Sequence, residues 1–209
     1  MIKVVVCDDH PVCCEGLRKA FSQTQDIRVS AEAHTGSELM EALKTAPCDA
    51  IILDISLPGA NGLEVLKDLA RRRPPVPVLI LSMHAEDQYA IRALRLGAAG
   101  YLPKDSPMQE LISAIRKIAS GHRYISATQA EMLADEFRHG QKPPIERLSD
   151  RELQVMLELA AGLGIKEVAQ KLCISPSTIG SHRARILAKL GLRTNADLIR
   201  YAVENELLK

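Results

Sequence analysis

The chain has no tryptophan, and its aromatic residues make up only 3% of 209 positions. Rings therefore cannot fill the interior, and the cores must be aliphatic. No stretch approaches the roughly 20 apolar residues of a membrane span. The opening MIKVVVCDDH is too short in its apolar part, and too soon charged, for a secretory leader. Five cysteines are an odd number and no pair has the C-x-x-C spacing, which fits a reduced, cytoplasmic setting. Excess charge is also missing. With a net charge of +1, any surface for nucleic acid must be local.

What is present is a packed, soluble composition, 46% hydrophobic and 25% charged, long enough for two domains. Apolar runs at Ile2–Cys7, Ile27–Ala33, Ala50–Leu53, Val78–Ser82 and Ala99–Leu102 read as strands. Between and after them Pro11–Ser22, Ser37–Thr45, Gly62–Arg73, Glu86–Leu96 and Met108–Ser120 read as helices. Strands without alternation are buried on both faces, which predicts a five-stranded, doubly wound parallel sheet covered by helices over residues 1–121. Residues 122–147 read as a linker with a helix at Ala127–Phe137, followed by the polar, proline-bearing HGQKPPIER. From Leu148 only helical patterns appear, at about 149–161, 165–172, 176–190 and 195–206, so an all-α domain is expected over 148–209. The Cys13–Cys14 pair, with Cys7 and His10, raises a metal or redox site. Cys7 lies in an apolar run, however, and Cys13 and Cys14 lie on the first helix, so all three read as small buried hydrophobes.

In a doubly wound sheet, ligands bind at the carboxyl ends of the strands. Strand one ends in Asp8–Asp9, strand three in Asp54, strand four in Ser82, and Lys104 follows strand five. Three carboxylates, a hydroxyl and an ammonium are thus expected at one edge. Acids so gathered repel each other unless a cation offsets them, and hard oxygen ligands suit Mg²⁺. With Lys104 and Ser82 at hand, this is equipment for phosphoryl transfer to a carboxylate. On this reading Asp54 stands exposed, so that another molecule can reach it.

The segments VCDDH, LDISLPGANG, ILSMHA and GAAGYLPKD resemble the receiver domain of two-component response regulators, a flavodoxin-like fold. The resemblance implies that Asp54 accepts phosphate from a sensor histidine kinase. It implies that Asp9, Asp54 and the backbone carbonyl of Ser56 bind Mg²⁺, with Asp8 assisting. It assigns Ser82 and Lys104 to the phosphoryl oxygens and Tyr101 to an aromatic switch. Asp105 stands after the lysine where many receivers have proline.

In LSDRELQVMLELAAGLGIKEVAQKLCISPSTIGSHRARILAKLGL, Ser149 and Glu152 have the spacing of a capping box. Val168, Ala169, Leu172 and Ile174 form the next apolar face, and a short turn leads to a helix opened by Pro176. Helix, tight turn, helix is a DNA-binding plan. From Ser175 to Arg193 there are four basic residues and no acidic one. Ile179, Ile186, Leu187 and Leu190 form the buried face expected for that helix. Thr178, Ser181, His182, Arg183 and Arg185 then lie on or beside its exposed side, within reach of phosphates and base edges. This segment resembles the LuxR-type helix-turn-helix. Together with the receiver it matches the NarL/FixJ class of response regulators, in which the last helix helps two DNA-binding domains pair. Ile165 stands where many members have Asn, and Gly180 where many have Lys. Ser181, Arg183 and Arg185 are therefore expected to carry more of the recognition, with Lys166 and Lys189 on phosphates. The function implied is a transcription factor, not an enzyme, that dimerises on phosphorylation and binds double-stranded DNA. Two rivals are a DNA-binding protein that uses the receiver only for pairing, and an aspartyl-phosphate phosphotransferase. The latter wants Asp-x-Asp, whereas Ile55 and Ser56 follow Asp54.

Overall fold

The structure, a computed structural model, describes residues 1–59, 61–71, 75–83, 86–139, 144–205 and 207; of 86–88, 135–139, 144 and 146 it describes the backbone alone. The chain forms two compact units, Met1–Leu133 and Ala134–Lys209.

The first unit holds a five-stranded sheet of β1 (Ile2–Cys7), β2 (Ile27–Ala33), β3 (Ala50–Leu53), β4 (Val78–Ser82) and β5 (Gly100–Pro103), in the order β2-β1-β3-β4-β5. Every pairing is parallel. The helices α1 (Pro11–Ser22), α2 (Gly36–Thr45), α3 (Gly62–Ala70) and α4 (Glu86–Arg95) are the crossovers, and α5 (Met108–Ala119) follows the last strand. Successive side chains along a strand point to opposite faces. On one face Val4, Val6, Ala50, Ile52, Leu79 and Leu81 meet Leu17 and Phe21 of α1 and Leu111 and Ile115 of α5. The intervening residues Val5, Ile51, Leu53 and Ile80 are buried on the other face. Burial on both sides is why these strands read as unbroken apolar runs.

The strand expected at Ala99–Leu102 lies one residue later. The helix expected to reach Arg73 ends at Ala70, and residues 72–74 lie outside the described residues. The compact unit also runs past residue 121. Tyr124 forms a parallel bridge to Gly100, and α6 (Ala127–His139) follows. Gln129 is fully buried, and its Nε2 donates to the Tyr101 carbonyl at 2.9 Å. β5 is the edge strand, and this segment covers its open side.

In the second unit a short 3₁₀ turn at Pro144–Arg147 occupies part of the expected linker, whose residues 140–143 lie outside the described set. Then come α7 (Asp150–Ala160), α8 (Ile165–Lys171), α9 (Pro176–Leu190) and α10 (Asn195–Glu204). The capping box at Ser149 and Glu152 is formed, and Ser175 caps α9 by accepting from the Thr178 N–H. Gly191 ends α9 in the left-handed conformation at φ 70, where a side chain would be strained. α9 packs against both α7 and α8, and α10 packs against α7. Among the described residues, no helix is long and apolar enough to cross a membrane.

Candidate functional site

The carboxyl ends of β1 and β3 place Asp8, Asp9 and Asp54 side by side. The Asp54 N–H donates to the Cys7 carbonyl at 2.9 Å and the Asp8 N–H to the Ala33 carbonyl at 3.0 Å, which fixes both turns to the sheet. The loop after Asp54 folds back on it. Asn61 caps α3, and the Gly62 N–H donates to the Ile55 carbonyl at 2.8 Å. A Cβ at Gly62 would stand 2.1 Å from the Asp54 carbonyl oxygen, so only glycine lets the loop close here. On the other flank, the Lys104 N–H donates to the Ser82 carbonyl at 2.7 Å, which holds the lysine across the strand ends.

Lys104 bridges two acids. Its Nζ lies 2.6 Å from Asp8 Oδ2 and 2.8 Å from Asp54 Oδ2. The Ser56 N–H donates to Asp54 Oδ1 at 3.2 Å. Asp54 is not exposed, contrary to the sequence reading: it retains 2% of its accessible surface and Asp8 also 2%. The cause is tertiary: the Lys104 ammonium, expected at this edge, lies directly on the Asp8 and Asp54 carboxylates and covers them.

The electrostatics follow from burial. Burial raises the Asp54 pKa, Asp8 adds to the rise, and Lys104 opposes it without overcoming it. For Asp8, burial also pushes upward, but the Lys104 hydrogen bond and the His10 N–H outweigh it and hold the carboxyl below its usual range. The Lys104 ammonium is held above its ordinary value: burial works against the charge, and the two carboxylates overcome that.

Asp8, Asp9, His10 and Asp54 each offer a ligand atom, all within 4.8 Å of one another. Asp9 Oδ1 is buried and accepts no hydrogen bond from the described residues. Three carboxylates with such an orphaned acceptor fit a hard divalent cation. The cysteines do not belong to this set. Burial first, then Asp8, pushes the Cys7 thiol up to about 12, and Cys14 rises to about 11 for the same reasons. Cys13 is pushed to about 12 by burial and its hydrogen bond to Asp8. Thiols so protonated are poor nucleophiles and poor ligands. Ser82 and Tyr101 are both fully buried beside the pocket's flank on β4 and β5.

In the second unit, Thr178, Ser181 and Arg185 lie exposed along α9 at the spacing of one helix face, with Ala184 and Ala188 between and after them. Among the described residues, Arg185 and Lys166 make no ion pair, and both are exposed. His182 and Arg183 are half-buried. Arg183 turns toward α10, its Nε donating to Asn195 Oδ1 at 2.5 Å. Lys189, expected on a phosphate, has its ammonium 2.5 Å from Glu152. Burial pushes Glu152 up, but Lys189 and Ser149 outweigh it and hold the carboxyl below its usual range. Both departures have one cause: the basic residues of α9 answer to acids and amides on neighbouring helices, which no local pattern displays. Leu190 is half-buried, not part of the core.

Residues 4–116 match the family described as "Response regulator receiver domain", and residues 146–202 match "Bacterial regulatory proteins, luxR family". Response regulator UvrY of Escherichia coli K12 is 34% identical over 209 residues, covering 99% of this chain and 96% of that protein. Response regulator GacA of Pseudomonas aeruginosa is 32% identical over 207 residues, covering 98% and 97%. Among solved structures, RcsB from Salmonella enterica serovar Typhimurium, bound to promoter rprA in the presence of phosphomimetic BeF₃⁻, is 25% identical with a TM-score of 0.65 over 96% of this chain and 97% of that one. The response regulator ChrA of a heme-sensing two-component system is 33% identical with a TM-score of 0.54 over 99% and 98%. The chain belongs to the response regulators of two-component systems, in the NarL/FixJ class that joins a receiver domain to a LuxR-type helix-turn-helix domain.

Proposed function

We propose that Asp54 accepts a phosphoryl group from the phosphohistidine of a sensor kinase, and that this acylphosphate controls dimerisation and sequence-specific binding to double-stranded DNA. The observation that carries the reading is Lys104 spanning Asp8 and Asp54 at the strand ends, beside Asp9, in a chain that also holds a helix-turn-helix. An Asp54 oxygen attacks phosphorus. The P–N bond to the donor imidazole breaks, its electron pair returns to the ring, and the ring takes up a proton. Lys104 moves from the carboxylates to the phosphoryl oxygens, and the Ser82 hydroxyl donates to a second oxygen. Asp9, Asp54 and the Ser56 carbonyl would hold Mg²⁺, with Asp8 assisting. When bound there, Mg²⁺ supplies positive charge that offsets the charge gathering on the transferred group.

Ser82 and Tyr101 then act as the switch. Each is buried, on the adjacent strands β4 and β5, so a new hydrogen bond at Ser82 is passed through the packing of those strands to Tyr101. The output is pairing and grip on DNA. Ile199 and Val203 lie one turn apart on α10 and are 38% and 61% exposed, an apolar stripe suited to a second copy. On α9, Thr178, Ser181 and Arg185 face the groove, with Lys166 of α8 on phosphate. His182 and Arg183 support that face from its border, and Lys189 anchors α9 to α7. The chain works as a cytoplasmic transcription regulator, and the single phosphoryl transfer to its own Asp54 is its only chemistry.

The test is DNA affinity with and without acetyl phosphate and Mg²⁺. Affinity of the wild type rises at least about tenfold with the donor, and Asp54→Asn shows no rise. In the same assay Arg185→Ala loses about 1–3 kcal/mol of discrimination between target and random DNA. Wild-type affinity indifferent to the donor would replace this reading with the phosphorylation-independent one.

A further inference from the structure

His10 is the one member of the strand-end cluster to which phosphoryl transfer gives no task. It precedes α1 as the helix N-cap, yet its side chain makes no capping hydrogen bond. Its ring is 64% exposed and turned back on the acids. Nδ1 lies 2.8 Å from Asp9 Oδ1 and 3.3 Å from Asp8 Oδ1. The contact with Asp9 is close without being a hydrogen bond, since Asp9 Oδ1 is buried and accepts none from the described residues.

These distances have a simple reading. Neighbouring ligands at right angles around an ion, with bonds of about 2.1 Å, stand about 3 Å apart. The two nitrogen–oxygen separations straddle that value. The oxygens are also divided between partners. Lys104 takes Oδ2 of Asp8 and Oδ2 of Asp54, whereas the imidazole faces Oδ1 of Asp8 and Oδ1 of Asp9. An ion on the Oδ1 side does not require Lys104 to leave.

We propose that the His10 imidazole is a ligand to the divalent cation of this pocket, so that the site binds a first-row transition ion such as Mn²⁺ through one more bond than Mg²⁺. The inference rests on the reading above that the pocket takes a divalent cation. Mg²⁺ demands oxygen ligands and keeps its waters, so the nitrogen adds little to it, whereas Mn²⁺ accepts an imidazole beside its oxygen ligands, less strongly than the later transition ions do. Nδ1 also stands within hydrogen-bond distance of Asp8 Oδ1, at 3.3 Å. On ligation the ion takes that place, and the ring adopts the tautomer protonated at Nε2.

The experiment uses the full chain, freed of metal, with Mn²⁺ or Mg²⁺ alone as the probe. Electron spin-echo modulation of the bound Mn²⁺ shows coupling to nitrogen, and labelling the histidines with ¹⁵N changes that modulation without any substitution. His10→Gln abolishes the histidine signal and weakens Mn²⁺ binding about tenfold, while Mg²⁺ binding by calorimetry stays within about twofold. Mn²⁺ bound with no histidine coupling overturns the inference and leaves the proposed function standing. Equal weakening of both ions by His10→Gln also overturns it, since His10 would then act only through the charge of Asp8 and Asp9. Failure of both ions to bind the wild type overturns this inference and the Mg²⁺ part of the proposed function together.

Discussion

Asp54 and Asp8 share one ammonium and respond to it in opposite directions. Asp54 holds its proton more tightly in the fold than at its ordinary pKa of 3.8, because it is buried next to another acid. A carboxyl of that kind stabilises the fold below its unfolded pKa, and the contribution is lost as pH rises through the folded value. Ionised Asp54 therefore costs stability at pH 7. Asp8 is held low, so its contribution is present above 3.8 and is lost as pH falls through its folded value. Replacing Asp54 with Asn in the metal-free protein should then stabilise it at pH 7, on the order of 1 kcal/mol. The gain should close as pH drops below about 4, where both forms are neutral. Thermal melting of the two proteins across pH 3–8 checks this, and a less stable Asn variant at pH 7 would mean the Lys104 ion pair dominates. The identity of these residues was legible from VCDDH and LDISLPGANG; their burial was not, because it depends on a lysine 50 positions away.

Among the elements, α9 shows how far a periodic pattern reaches. Its bounds and its buried Ile179, Ile186 and Leu187 follow from the sequence, since the 3.6-residue period places them on one face. The partners of Arg183 and Lys189 do not follow, because Asn195 and Glu152 belong to other helices. The sequence also gives no sign that Cys173, in the turn before α9, takes a left-handed backbone at φ 53. Gly180 lies within α9, and a Cβ built there meets no atom within 4 Å. Nothing in the fold requires glycine at that position. Gly180→Ala should stabilise the second unit by about 1 kcal/mol, read from its urea midpoint. No gain would show that Ala at this position loses in the fold what it saves in the unfolded chain.

At the scale of the molecule, the two units are separate in their sequence signals and in their cores. Between them lies the segment that the sequence reading left as a linker. Gly121 ends the helix after the last strand by pattern, yet the compact unit continues to Leu133. Tyr124 and Gln129 account for this: one bridges to Gly100, the other caps the Tyr101 carbonyl, and the Tyr124 hydroxyl donates to Glu110 Oε1 at 2.5 Å. A fragment of residues 1–133 should therefore be more stable than one of 1–121 by about 2–4 kcal/mol, the worth of two buried hydrogen bonds and the covered strand edge. Denaturant unfolding of both fragments measures the difference, and equal midpoints would show that the added segment contributes nothing to the receiver. By itself the sequence determined the five strands, the crossovers, the acids at the strand ends and the helix-turn-helix, because hydrophobic period and turn residues are local quantities that each segment carries with it. Only the tertiary structure decided that Asp54 is covered, that Lys189 is tied to Glu152 and that Gln129 closes the sheet edge. Each of these is a meeting of polar groups from distant segments, and such meetings are set by how the elements pack, which no window of sequence contains.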